Sequence, residues 1–201
     1  MDTSTFQKIS RKLCKYFHYH RVGGYDPQTG LAWACRNKSG FMFHIVVETG
    51  WPAYEHAYTQ VTKFQEGYAC VRGNSGLWCC HIRPDGFPAY TNRFLNVGLF
   101  FEGLADASDD RGYFHIKTDG TPAYESRFNR VGHFCYGLAQ AKDKTGHFHI
   151  KPDGTPAYAL RGLSNGPFNE QGVAWTDMLK RVKEKQIIVR VWINARGEIV
   201  S

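Results

Sequence analysis

One position of a repeated phrase carries histidine in four copies, a residue type that can bind metals, bind anions or transfer protons. The four residues are His44, His81, His115 and His149. The last three are spaced by 34 residues, in HIRPDGFPAY, HIKTDGTPAY and HIKPDGTPAY. In a closed ring of repeats, four equivalent imidazoles could surround one axis and hold a metal ion or an anion. The favoured alternative is structural: each ring bonds a turn or backbone in its own repeat, which explains the recurrence without a ligand.

Arginine and tyrosine recur with the same spacing and form two further candidate rows. The arginines are Arg93, Arg127 and Arg161, and the tyrosines are Tyr90, Tyr124 and Tyr158. An arginine beside a tyrosine in each repeat could make a row of identical small pockets for a polyanion or a sugar polymer. A cation–π or hydrogen-bond clasp between repeats uses the same residues, and the clasp is the favoured interpretation.

No unique set of reactive residues accompanies these rows. Glu66 and Glu102 occupy equivalent positions of two repeats and so are not the unique carboxylate pair of a glycosidase. Neither a Ser-His-Asp order, a phosphate loop nor a CxxC metal spacing is present. The six cysteines are read as reduced, partly buried thiols in preference to a disulfide framework. We therefore expect no enzyme activity and no cofactor, and rate a hydrolase on the ring axis below the binding hypotheses.

A second repeated phrase lies between the histidine phrases and completes the repeat. It reads VTKFQEGYACV from Val61, VGLFFEGLADA from Val97 and VGHFCYGLAQA from Val131. Alternating apolar residues on both sides of Tyr136-Gly137 predict a hairpin, because glycine tolerates the positive φ of a tight turn. Asp119-Gly120 predicts a second turn in the histidine phrase. Each phrase is therefore interpreted as a hairpin, with Asp109–Gly112 linking one unit to the next.

The repeats predict an all-β fold with about five tandem units of roughly 34 residues, forming a single β-repeat domain over residues 21–201. One unit is too small to bury its own apolar face, so neighbours must cover one another. The chain opens with the second phrase and closes with the first, and these halves would complete a fifth unit if the ends met. A closed propeller-like ring is therefore preferred, with an open β-hairpin solenoid as the alternative.

Residues 1–20 predict a short amphipathic helix before the repeats. Ser4 and Gln7 have the spacing of a capping box at its start. One face carries the apolar residues Phe6, Ile9, Leu13, Tyr16 and Phe17, and the other carries lysine and arginine. The favoured role is docking on the repeats, and contact with an anionic membrane surface or a partner protein are the alternatives.

The charge balance favours acidic partners. Lysine and arginine number 25 against 18 acidic residues, a net charge of +7, and part of the excess lies in the run Lys180–Lys185. That run is interpreted as a solvated loop, with contact to an acidic partner as the alternative. The N-terminus has no apolar run of signal-peptide or membrane-spanning length, so we expect a cytoplasmic protein without a transmembrane segment, with delivery by a specialised secretion system still open.

The repeat pattern resembles the bacterial WG (KWG) repeat family. The likeness is carried by Phe100 to Ala107 with Ile116 and Gly120, and by Phe134 to Ala141 with Ile150 and Gly154. It departs where that family has Trp-Gly, because this chain has Tyr113-Phe114 and His147-Phe148. The resemblance implies a divergent branch of interaction scaffolds with no common reaction or cofactor.

The expected function is a non-enzymatic binding module, most simply a protein–protein interaction scaffold. A repeat lectin or polyanion binder using the arginine and tyrosine rows is the alternative. The partner is accordingly expected to be another protein, or else a glycan or polyanion.

Overall fold

The computed structural model describes residues 1–38, 40–182 and 185–200. The chain divides into two compact units, Met1–Leu99 and Phe100–Ser201, and the boundary falls inside one β-strand. A single β-repeat domain over residues 21–201 stays a prediction.

One helix is followed by fifteen strands in the described residues. The helix α1 spans Thr3–Phe17. The strands are β1 (Arg21–Asp26), β2 (Leu31–Cys35), β3 (Met42–Val46), β4 (Gln60–Val61), β5 (Ala69–Arg72), β6 (Cys79–Ile82), β7 (Asn96–Phe101), β8 (Leu104–Asp109), β9 (Gly112–Ile116), β10 (Arg130–Cys135), β11 (Leu138–Asp143), β12 (Gly146–Ile150), β13 (Ser164–Asn165), β14 (Val173–Val182) and β15 (Lys185–Asn194).

The strands form five three-stranded sheets, each built from consecutive strands, which confirms the all-β repeat fold. Sheet 1 is β1-β2-β3, sheet 2 is β4-β5-β6, sheet 3 is β7-β8-β9, sheet 4 is β10-β11-β12 and sheet 5 is β13-β14-β15. In sheets 1 to 4 a proline after the third strand forms a bridge to that strand, as Pro122 does with Ile116. Proline suits this edge position because it cannot donate to a ladder.

The grouping of the phrases differs from the prediction. Each sheet joins a second phrase to the histidine phrase that follows it, so Asp109–Gly112 is a hairpin within sheet 3 and not a link between units. Sheet 1 and sheet 5 are likewise complete in sequence order. No sheet among the described residues is shared between the two ends of the chain. The prediction that the two ends together complete a fifth unit was therefore wrong.

The predicted tight turns are present in sheets 2, 3 and 4. Tyr136 and Gly137 have φ of 54° and 77°, as do Glu102 and Gly103 at 54° and 76°. Two successive positive φ values define the hairpin turn whose twist matches that of the strands it joins. A glycine in the second position adopts this conformation without the steric cost that a β-carbon brings.

The helix docks on sheet 1, as the favoured interpretation predicted. Leu13 is buried in one core cluster with Ala32, Phe43 and Ile45, and Phe6, Ile9 and Phe17 pack against that cluster. Tyr16, assigned to the same face, is instead 75% exposed. The helix cap is also different: Asp2, and not Ser4, accepts a hydrogen bond from the Thr5 amide at 2.9 Å. The positive end of the helix dipole also stabilises a carboxylate at this position.

The sheets bury a layered core that repeats from one to the next. Small alanines on the middle strand face aromatic and branched residues on the strands beside it, for example Ala105 opposite Ile116 and Ala107 opposite Phe114. All four are 0 or 1% exposed. All six cysteines are free thiols, and Cys35, Cys70, Cys79 and Cys80 are buried.

Candidate functional site

The four recurring histidines are the most deeply buried polar residues of the fold. Each lies on the third strand of its sheet and has no exposed surface. The Nδ1 atom contacts a tyrosine hydroxyl, in the pairs His44–Tyr54, His81–Tyr90, His115–Tyr124 and His149–Tyr158. The Nε2 atom lies 2.8 to 2.9 Å from a backbone carbonyl oxygen, namely that of Thr62, Gly98, Gly132 or Gly166.

These contacts fix the tautomer of each ring. A carbonyl oxygen only accepts, so Nε2 carries the hydrogen and Nδ1 accepts the tyrosine O–H. Burial lowers the pKa of each histidine to about 4, and burial also raises the pKa of each tyrosine. The neutral imidazole and the neutral phenol are therefore the forms present at neutral pH. No nitrogen lone pair is left for a metal ion, so the structural role explains these residues and the ligand-binding assignment does not.

The three recurring arginines form a hydrogen-bond and cation–π clasp, but within one sheet and the loop that follows it, and not between repeats as predicted. Each Nη1 donates to three consecutive backbone carbonyls, which for Arg127 are those of Tyr124, Glu125 and Ser126. The guanidinium also lies over an aromatic ring: Arg93 over Trp78 at 4.8 Å, Arg127 over Phe114 at 3.5 Å and Arg161 over Phe148 at 3.8 Å. An arginine so engaged holds the loop after the tyrosine onto its own sheet. The proposed row of small ligand pockets is therefore not formed by these arginines and tyrosines.

A different row, at the outer end of sheet 4, carries uncompensated positive charge. Arg130 of β10 lies directly opposite Lys142 of β11, and Lys142 lies directly opposite His147 of β12. We call Arg130, Lys142 and His147 the cationic row. Like charges directly opposite each other in antiparallel strands are destabilising. Consistent with this, the pKa of His147 is lowered, first by burial and then by Lys142.

The cationic row opens into a cleft of about 400 Å³. The other polar side chains of its wall are His133, Gln140 and Asn165. Asn165 is held in place because its amide nitrogen donates to the Phe148 carbonyl at 2.9 Å. The Gln140 amide in turn donates to the Asn165 carbonyl. The wall is thus a fixed polar surface with permanent cations on two adjacent strands and a titratable imidazole on the third.

A second feature is the outer part of the β14–β15 hairpin. The short strand β13 pairs with β14 only at Thr176 and Asp177, so within the described residues β15 alone pairs with β14 from Met178 onward. We call Met178–Val182 with Lys185–Val189 the hairpin arm. Leu179 and Ile188 are directly opposite each other and are 53% and 66% exposed.

The hairpin arm corrects the interpretation of the basic run as a loop. Lys180 and Arg181 lie on β14 and Lys185 begins β15, while Lys183 and Glu184 lie outside the described residues. Strand pairing continues to Val182 opposite Lys185. The basic side chains therefore alternate with exposed apolar ones along a paired ribbon.

The sequence signals for both features were departures from the repeat. Lys142 and His147 replace Ser108 and Tyr113 of the preceding sheet, which face each other in the same register. The arm extends the last hairpin beyond the strand length of the other sheets. Both features lie outside the recurring residues, so the repeat pattern does not indicate them.

Other kinds of site find no support in the described part of the chain. It holds no group of three or more histidine, cysteine, aspartate or glutamate side chains placed to bind a metal ion. Among the same residues, no helix has both the length and the apolar character needed to cross a bilayer.

Comparison with known proteins gives a distant likeness to solved structures alone. No family model matches the chain, and no curated protein matches its sequence. Among solved structures it is similar to the crystal structure of regucalcin, a calcium-binding protein from Agrobacterium tumefaciens, with a TM-score of 0.37. The two are 11% identical over 90% of this chain and 72% of that one. A likeness at this level is too weak to transfer a ligand or an activity.

Proposed function

We propose that the protein is a non-enzymatic protein-binding module that docks an acidic partner protein through the hairpin arm. The observation that carries the proposal is the exposed cross-strand pair Leu179 and Ile188, in the part of sheet 5 that β13 does not reach. Val182 and Ile187 are also exposed, on the opposite face of the ribbon, because side chains alternate between the two faces of a strand. Exposed apolar side chains that adjoin one another mark interaction surfaces, whereas single exposed ones are ordinary.

The positive charge of the arm favours an acidic partner. Lys180, Arg181 and Lys185 are exposed. The acidic residue at the base of the arm, Asp177, is already paired with Arg190 at 2.7 Å. An acidic surface complements these cations, whereas a second copy of the same arm repels them. Basic residues on edge strands oppose pairing between copies in this way.

The backbone of the arm favours a protein over a lipid surface. Both of its strands have an edge without a neighbouring strand among the residues described, from Met178 on β14 and along β15. Such edges offer N–H and C=O groups that an added strand can pair with. The lipid interior offers no hydrogen-bonding partner for them. A partner that presents an extended acidic segment satisfies the apolar, charged and backbone groups together.

The test uses site-specific photocrosslinking from position 188 of the full chain, followed by binding measurements with the purified crosslinked partner. Leu179→Ser combined with Ile188→Ser is expected to weaken binding by at least about tenfold, because both side chains leave the contact. Leu95→Ser is the matched control, since Leu95 is 52% exposed and lies outside the arm. The control should bind as the unaltered chain does.

Three results would overturn the proposal. They are a partner whose affinity is unchanged in the double variant, self-association of the purified chain that the double variant abolishes, and arm-dependent binding to anionic vesicles. Analytical ultracentrifugation and vesicle co-sedimentation measure the last two.

We further propose that the chain is a divergent bacterial WG repeat protein that acts in the cytoplasm or is delivered by a specialised secretion system. The support is the equivalent placement of Phe100 and Phe134, and of Ile116 and Ile150, in sheets 3 and 4. An experimental WG repeat structure whose strands are grouped differently would contradict it.

The closed propeller-like ring also belongs to this proposal, with the open solenoid as its alternative. Five successive antiparallel sheets of consecutive strands support it. Small-angle X-ray scattering distinguishes the two, because a ring has a smaller radius of gyration than an extended array of the same sheets.

A further inference from the structure

We infer that the cleft beside the cationic row is a binding site for a phosphoryl-type dianion. Two permanent cations, Arg130 and Lys142, and one titratable imidazole, His147, lie in direct cross-strand register. Within the described residues none of the three forms an ion pair. Folding therefore concentrates like charge at this place without a protein group that neutralises it.

The same row carries less charge in sheets 1, 2 and 5. In sheet 5 it reads Ser164, Asp177, Arg190, and the aspartate pairs with the arginine. In sheet 2 its one cation is Arg72, whose guanidinium donates to Asn96 Oδ1 at 2.8 Å and to the Gly76 carbonyl. In sheet 1 its one cation is Arg21, which lies over the Trp33 ring. The repeat fold thus accepts a row with a single cation or an ion pair, and the two adjacent cations of sheet 4 are not a requirement of packing.

The carboxyl groups near the row do not belong to the cleft wall. Asp143 is next to Lys142 on β11, so the two side chains point to opposite faces of the sheet, and its carboxylate accepts hydrogen bonds from the amide and the hydroxyl of Thr145. Asp106 interacts with His133 of the wall; burial raises the pKa of this carboxyl and His133 lowers it. Among the described residues that line the cleft, none is acidic, so Arg130 and Lys142 set the charge of the wall.

The donor chemistry selects a compact dianion. Arginine offers a planar fork that matches two phosphoryl oxygens, and lysine adds a point charge. Two fixed charges on the protein are balanced by two on the ligand, and a carboxylate would balance one. The cleft volume of about 400 Å³ exceeds that of inorganic phosphate and leaves room for an organic group. Free phosphate and a phosphate monoester share the chemistry, so both enter the test.

The primary experiment is calorimetric titration of the full chain with inorganic phosphate, O-phosphoserine and AMP. At least one should bind saturably, and Lys142→Gln or Arg130→Gln should weaken that binding by at least about tenfold. Lys144→Gln is the matched control, because Lys144 is exposed two residues from Lys142 and is not part of the cleft wall. Tighter binding of a monoester than of phosphate identifies the organic group as part of the ligand.

Sulfate tests the role of His147, because sulfate stays dianionic while phosphate itself titrates near neutrality. The groups that face His147 are Lys142 on β11, Arg130 on β10 and the Asn165 side chain from β13. A bound dianion favours the protonated ring, so sulfate affinity should rise as the pH falls from about 8 to about 6. His147→Gln should remove most of that rise.

The inference is overturned if no probe binds saturably up to ~10 mM, if Lys142→Gln binds as the unaltered chain does, or if Lys144→Gln weakens binding equally. Far-UV circular dichroism and urea unfolding verify that each variant is folded. The Leu179→Ser, Ile188→Ser double variant should keep full phosphate affinity. This result separates the cleft from the hairpin arm, so failure of one leaves the other standing.

Discussion

His147 and His149 lie two residues apart on one strand and point to the same face of sheet 4, yet their surroundings are opposite. His149 has no exposed surface and shares its arrangement with the histidines of sheets 1 to 3. His147 is partly exposed, and the equivalent residue differs in every other histidine-bearing sheet: Met42, Cys79 and Tyr113. At the constant position both ring nitrogens of the histidine are hydrogen-bonded to tyrosine and backbone partners. At the variable position of sheet 4 the side chain faces a cleft.

The difference shows where binding chemistry resides in this repeat fold. A buried polar group with two hydrogen bonds is constrained to one residue type, because any replacement leaves a tyrosine and a carbonyl unsatisfied. The outer row is not constrained in this way, and its residues can differ without loss of the core. Recurrence therefore marks packing, and departure from recurrence marks the candidate sites.

The largest expected effect is acid unfolding driven by the constant position. The ordinary histidine pKa is 6.5, and burial lowers that of His44, His81, His115 and His149 to about 4. Below pH 6.5 the unfolded chain binds protons that the folded chain does not, so stability is lost as the pH falls from 6.5 to about 4. Each histidine contributes up to ~1.4 kcal/mol per pH unit.

Urea unfolding followed between pH 7 and about pH 4 measures this loss. His115→Gln should make the pH dependence less steep by removing one titrating group. A free energy of unfolding that stays constant across the range would show that the rings are not held neutral.

A direct test of the comparison replaces each histidine of the pair. His149→Ala should lower the free energy of unfolding by about 3 kcal/mol, because the Tyr158 hydroxyl and the Gly166 carbonyl lose their partner and a cavity opens. His147→Ala should change it by less than ~0.5 kcal/mol. Equal losses in the two variants would remove the distinction between constant and variable positions.

The arginine clasp should give an intermediate effect. Arg127→Ala removes a ring contact at 3.5 Å, three carbonyl hydrogen bonds and the ion pair with Asp109 at 3.0 Å. We expect a loss of about 2 kcal/mol. Arg93→Ala should cost less, because its ring contact is longer, at 4.8 Å. Thermal unfolding compares the two, and the reverse order would argue against the ring contact as the main source of the clasp.

The smallest expected effect has the opposite sign. Lys142→Gln relieves repulsion from Arg130, so at neutral pH it should raise the free energy of unfolding by ~0.2–1 kcal/mol. Lys144→Gln, outside the row, should leave it nearly unchanged. Destabilisation by Lys142→Gln would mean that another group of the fold stabilises the lysine charge. The outer row would then contribute to stability, and its contrast with the buried histidine position would be smaller.

Local sequence chemistry was sufficient to predict the hairpin of the second phrase and its turn, whereas the second strand predicted in the histidine phrase is reduced to isolated bridges. The positive φ required at Gly137 and Gly103 is visible in the residue type, and the alternation on either side predicts a paired strand. The grouping into sheets was not visible, because a periodic sequence can be divided at any point of its period. The aspartate turns decide it: Asp109–Gly112 and Asp143–Gly146 close hairpins of their own.

The candidate sites were harder to predict because burial and register are three-dimensional. Histidine recurrence gives no sign that Nδ1 and Nε2 are both occupied. Arg130 and Lys142 are twelve residues apart in sequence and become neighbours only through pairing of β10 with β11. The arm was missed because lysine-rich sequence has low strand propensity, and pairing with the apolar strand β15 overrides it.

The consecutive order of strands within every sheet bears on how the chain is made. The histidine-to-carbonyl bonds span 17 or 18 residues, and in the part of the chain that the structure describes no ladder pairs strands that are distant in sequence. Short sequence separations favour rapid folding. As the polypeptide leaves the ribosome, each sheet can therefore be paired before the next one is translated, and the arm emerges after sheets 1 to 4.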